Sequence, residues 1–137
     1  MTKKPILIVA GEPNSIFLEI FFKSLEYKKY FTPIILIASY KLLRLQMKKL
    51  KFNKKIRLLN AKNISNEKLN NKSINLINVE YKTLKAFEKI SKKSNIFIEN
   101  SFKLAFHIIK KNKIYKFING PISKKNFLNK NFLGITE

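Results

Sequence analysis

Two segments of the sequence combine glycine, proline and polar side chains in ways that could position a ligand. The first is Gly11-Glu12-Pro13-Asn14-Ser15, which follows a short apolar run and opens onto a helix-like stretch. A turn from a strand into a helix N-terminus presents backbone N–H groups to an anion. It has neither the phosphate-loop pattern nor the G-x-G-x-x-G spacing, so a tight strand-to-helix turn accounts for its residues equally well. The second is Asn119-Gly120-Pro121-Ile122-Ser123-Lys124-Lys125, followed by Gly134-Ile135-Thr136-Glu137. A strand that ends in Gly-Pro with a lysine just beyond could hold a phosphate or a carboxylate, which makes Lys124 a candidate binding residue. In a chain this rich in lysine, a solvated surface charge is the competing explanation.

Other chemistries are narrowed by what the chain contains. It has no cysteine, which excludes disulfides, thiolate catalysis and cysteine zinc sites. His107 is the only histidine, so no cluster of histidine metal ligands can form within these residues. It sits beside an apolar helical stripe with no partner nearby in sequence, and a packing or surface role is expected of it. Every acidic residue is a glutamate, and the glutamates are scattered.

The formal charge of +21 raises the possibility of a nucleic-acid partner, since dense positive charge gathers phosphate by counterion release. Against this, Arg44 and Arg57 are the only arginines, and arginine is the usual bidentate reader of phosphate and guanine. The lysines are spread along a chain also rich in Ile, Asn and Phe, the composition that AT-rich codons produce. A lysine-rich solvated surface is the expectation. The apolar run after Lys4 is too short for a secretory segment, and no stretch approaches the roughly 20 apolar residues of a membrane span. A cytoplasmic location is the simplest expectation.

The elements that must position these segments follow from apolar patterning. Pro5–Ala10 and Pro33–Ala38 are continuous apolar runs, the signature of strands buried on both faces. Shorter strands are expected at Ile56–Leu59, Ile74–Val79 and Tyr115–Asn119. Ser15–Tyr27 reads as a helix capped by Ser15 or Asn14. It is apolar over most of its circumference, so it is either buried or packed against another subunit as well. Tyr40–Leu50 is a second helix, with Leu42, Leu43, Leu45 and Met47 facing inward. A third enters through Ser94-Asn95, with Ile98, Phe102, Ala105, Phe106 and Ile109 drawing one stripe. Lys110, Lys111 and Lys113 lie at its C-terminal end, where the helix dipole favours cations. Asn60–Lys72 is polar and reads as an exposed connection, and Leu84–Ile90 as a helical turn. With 45% hydrophobic residues in 137, the chain has enough for one core. Strands alternating with helices indicate an α/β layered fold with a mainly parallel sheet and flanking helices.

Taken together, the two segments resemble the 4-hydroxythreonine-4-phosphate dehydrogenases of vitamin B6 (pyridoxine) biosynthesis. That family opens with a strand and a loop of the form G-[DE]-P-x-G-I-G-P-[DE], matched by Gly11-Glu12-Pro13-Asn14-Ser15-Ile16-Phe17-Leu18-Glu19. It later has a strand ending in G-P-[IV]-x-K and then G-H-T-E, matched by Gly120-Pro121-Ile122-Ser123-Lys124 and Gly134-Ile135-Thr136-Glu137. On this resemblance residues 1–137 are the N-terminal α/β portion of such an enzyme, with the rest of the family's length absent. The fold it implies is of the isocitrate/isopropylmalate dehydrogenase type, here incomplete. A chain that ends inside the last motif reads as cut rather than finished.

The resemblance further implies a homodimer with a cleft between two α/β domains, acting on a phosphorylated small molecule. Such enzymes oxidise the substrate hydroxyl with NAD or NADP, and the β-keto acid formed loses carbon dioxide. A divalent metal polarises the oxygen being oxidised; its histidine ligands lie downstream of Glu137, so none is assigned here. Thr136 inherits a substrate-binding role. Ile135 occupies the place of the family's substrate-contacting histidine and can neither donate nor accept a hydrogen bond. Losing such a contact costs about 1–3 kcal/mol. Ser15, Phe17 and Leu18 replace two glycines and a proline of the first loop. These departures keep open a divergent relative that acts on another phosphorylated hydroxy acid, or on nothing. A small basic nucleic-acid-binding domain is the alternative of a different class.

Overall fold

A computed structural model of the chain describes residues 4–89 and 92–122. Among the described residues five strands form one sheet in the order β3-β4-β2-β1-β5, and every pairing there is parallel. The strands are β1 (Ile6–Val9), β2 (Ile34–Ala38), β3 (Ile56–Leu58), β4 (Ile74–Asn78) and β5 (Lys116–Asn119). Parallel neighbours need crossover connections, supplied by α1 (Phe17–Tyr27), α2 (Tyr40–Leu50) and α3 (Asn95–Asn112).

Chain order and strand order fix where the helices lie. From β1 to β2 and on towards β3 the chain moves one way across the sheet; from β4 to β5 it moves back the other way. Right-handed crossovers therefore put α1 and α2 on one face and α3 on the opposite face. The central strands are buried on both sides: Leu7, Val9, Ile35, Leu36, Ile37 and Leu76 have no exposed surface. This is why β1 and β2 are continuous apolar runs rather than alternating ones. Among the described residues β5 pairs with β1 alone, and Lys116, Ile118 and Asn119 are exposed on it.

Several local expectations are corrected. The residue before α1 is Ile16, and neither Ser15 nor Asn14 occupies the cap position. Ser15 Oγ still accepts from the Phe17 N–H at 3.2 Å, while Asn14 is committed to a different loop. α1 is not buried all round, since Ile16 and Ile20 are more than half exposed. On α2 the buried set is Leu42, Leu43, Gln46 and Met47, with Leu45 only half-buried. Helical spacing from Leu42 and Leu43 leads to Gln46 and Met47, and spacing overrides side-chain polarity here. On α3, Ile108 takes the inward place expected of Ile109, and Phe106 is 47% exposed. Residues 84–87 form bends rather than a helical turn. The polar connection holds a 3-10 segment, Ala61–Asn66, that buries Ile64. Lys110 and Lys111 do occupy the last turn of α3, which Lys113 closes in the left-handed conformation. No helix among the described residues is long and apolar enough to cross a membrane.

Candidate functional site

The register of the sheet brings the two punctuated segments together. Val9 pairs with Asn119, so β1 and β5 end level with each other and release Gly11 and Gly120 side by side. The Gly120 N–H donates to the Val9 carbonyl at 2.7 Å, and the Glu12 N–H donates to the Pro121 carbonyl at 2.8 Å. The approach is backbone on backbone. A Cβ added to Gly120 would lie 2.0 Å from the Ala10 carbonyl oxygen, and one on Gly11 2.5 Å from the Pro121 oxygen. Gly11 also has φ +77°, which side-chain-bearing residues rarely adopt. Both glycines are thus required where they stand, at the carboxyl end of the sheet, where open α/β sheets bind ligands.

Within the first loop the Asn14 and Ser15 amides turn back onto Glu12. The Glu12 side chain is 3% exposed, and Ser94 Oγ donates to its Oε2 at 2.7 Å. The Asn14 N–H points to Oε1 at 3.3 Å, and the Ser15 N–H and Oγ both go to the Glu12 carbonyl. Burial pushes the Glu12 carboxyl above its ordinary range, and the hydrogen bonds from Ser94 and the Asn14 backbone oppose that shift. Solvation lost on burial disfavours the charged form more than these two donors restore it.

The connection after β4 is fastened over the same end. Asn14 Nδ2 donates to the Tyr81 hydroxyl at 3.0 Å, and Asn14 Oδ1 accepts from the Glu88 N–H at 3.1 Å. From α2, the buried Gln46 Nε2 donates to the Pro13 and Ala86 carbonyls at 3.2 and 3.0 Å. Glu12, Asn14, Gln46, Tyr81 and Ser94 therefore form one buried polar layer under the β1 and β5 ends. Of these, Gln46, Tyr81 and Ser94 carried no signal in the sequence, because their partners are more than thirty residues away.

Lys124, Ile135 and Thr136 lie outside the described residues, so their placement is not part of this geometry. His107 is exposed on α3. Among the described residues no three histidine or glutamate side chains come close enough to hold a metal ion.

No protein-family model matches the sequence, and no curated protein matches it. Solved structures do match. Superposed on a protein of Salmonella typhimurium described as a 4-hydroxythreonine-4-phosphate dehydrogenase, the chain gives a TM-score of 0.79 at 21% identity. The match takes in 98% of this chain. The chain has the fold of part of a 4-hydroxythreonine-4-phosphate dehydrogenase. The enzyme of that name from Klebsiella pneumoniae gives 0.79 at 15% identity over 97% of the chain, and that from Burkholderia phymatum 0.78 at 20% over all of it. The chain spans 42–43% of the length of these neighbours, so the shared α/β architecture is an incomplete version of theirs.

Proposed function

We propose that the chain is the N-terminal portion of an NAD(P)-dependent dehydrogenase acting on 4-phosphooxy-L-threonine or a closely related phosphorylated hydroxy acid. The observation that supports this reading most is the pairing of the Gly11 and Gly120 loops at one end of a sheet whose fold matches those dehydrogenases. In this reading the loop pair forms one wall of a cleft, and a second domain forms the other. NAD or NADP accepts the hydride, and a divalent metal polarises the hydroxyl oxygen.

Thr136 contributes a hydroxyl to the substrate, and Lys124 a charge to its phosphate. Ile135, in the place of a histidine, withdraws one polar contact and shifts the preferred substrate. The enzyme works as a homodimer in the cytoplasm. The test is an assay of the whole product of the reading frame for substrate-dependent nicotinamide reduction, with NAD and NADP and with Mg²⁺, Mn²⁺ or Zn²⁺. Turnover of 4-phosphooxy-L-threonine, or of a related phosphorylated hydroxy acid, supports the reading. Silence with every such substrate and metal contradicts it.

A further inference from the structure

The chain leaves β2 through Ser39 into α2, towards β3, and leaves β4 in the opposite direction, towards α3 and β5. Neighbouring strands whose connections leave to opposite faces of the sheet in this way open a crevice at their carboxyl ends. A cavity of about 550 Å³ is bounded by Lys41, two residues beyond Ser39, and by Lys82, Thr83, Lys85, Glu88 and Lys93 of the connection that follows β4. Four of its walls are lysines and one is a carboxylate.

The lone carboxylate is already engaged. Thr83 Oγ1 donates to Glu88 Oε1 at 2.6 Å, and the Lys93 ammonium is 3.6 Å from the same oxygen. The Thr83 hydroxyl bond, with Lys93 and Lys85 nearby, holds the Glu88 carboxyl below its usual range, so it is ionised at neutral pH. One negative charge thus faces four positive ones. Lys41, Lys82 and Lys85 make no ion pair among the described residues. Lys41 also stands in the first turn of α2, which holds no acidic residue and where the helix dipole repels a cation. Concentrating like charges in one concave wall is unfavourable unless an anion neutralises them.

We propose that the lysine-lined crevice between the β2 and β4 ends binds a small, multiply charged phosphate ligand. Diphosphate is the simplest member of that class. A nucleic acid would need a positive track along the surface rather than one cavity. The inference does not depend on the dehydrogenase reading, since binding is measured on the chain itself and without turnover.

The experiment is equilibrium dialysis of the chain against radiolabelled inorganic pyrophosphate at low salt. Saturable binding is expected, weakened about tenfold or more by the double exchange Lys82→Gln/Lys85→Gln. A control of equal charge loss elsewhere, Lys29→Gln/Lys110→Gln, is expected to leave it within about twofold. No saturable binding by the unaltered chain overturns the proposal, and so does equal weakening by both pairs, the behaviour of bulk charge or a nucleic-acid surface. Should the double variant lose its native circular dichroism, Lys82→Gln alone decides, with about threefold weakening expected and none overturning the proposal.

Discussion

The Glu12 N–H donates to the Pro121 carbonyl at 2.8 Å, tying the loop after β1 to the loop after β5 across 109 positions of sequence (121 − 12). Two strands remote in the chain are adjacent in the sheet, and their exits are joined by backbone alone. The dehydrogenase reading depends on that junction keeping its shape.

Adding a methyl group at the junction tests it. In Gly120→Ala the new Cβ meets the Ala10 carbonyl oxygen at 2.0 Å, and in Gly11→Ala it meets the Pro121 oxygen at 2.5 Å with φ at +77°. Both obstacles are backbone, which cannot swing aside as a side chain can. Each substitution is expected to lower stability by about 1–3 kcal/mol, read as a fall in the urea midpoint. Midpoints equal to wild type for both would show that the loops do not pack as described.

Glu12 makes a second prediction, with a definite sign. Its folded-state pKa is raised above the ordinary value of 4.5. The group's contribution is therefore complete below that value and is lost as pH rises through the folded pKa. Glu12→Gln cannot ionise and removes this slope. The stability difference, variant minus wild type, is expected to grow in the variant's favour from about pH 4 to about pH 8. A difference independent of pH would mean that Glu12 is not desolvated.

Gln46 is the fastener between α2 and the two loops. Gln46→Leu keeps the shape but removes both donors, leaving the Pro13 and Ala86 carbonyls unpaired in a buried layer. A cost of about 1–3 kcal/mol is expected. Amide hydrogen exchange of residues 79–89 is expected to speed up more than that of the central strands. Unchanged exchange in that segment would place its anchorage elsewhere.

The strands and helices that build the sheet were legible because their signals are local. Pro33–Ala38 reads as a buried strand from six adjacent residues, and Tyr40–Leu50 as a helix from its own spacing. The errors arose where distant partners decide. Leu45 is expected in the core and Gln46 is not among the expected core residues, yet Gln46 is buried on two carbonyls from other loops and Leu45 is half-buried. Asn14 looked like a helix cap but bonds Tyr81 and Glu88, 67 and 74 residues away. Nothing in the sequence of the Gly11 loop reveals that Ser94 reaches Glu12 from 82 residues further on. The meeting of the Gly11 and Gly120 segments is not legible in the sequence, since spacing alone does not say which strands are neighbours.

The most direct test of the central claim, that this sheet forms half of a dehydrogenase cleft, is the coding sequence beyond the Glu137 codon. The account predicts an open frame that brings the chain to the length of its structural neighbours and supplies histidines for a metal site. A stop codon at that point would leave one wall of a cleft without its metal ligands, and would contradict the claim that this chain works as a dehydrogenase.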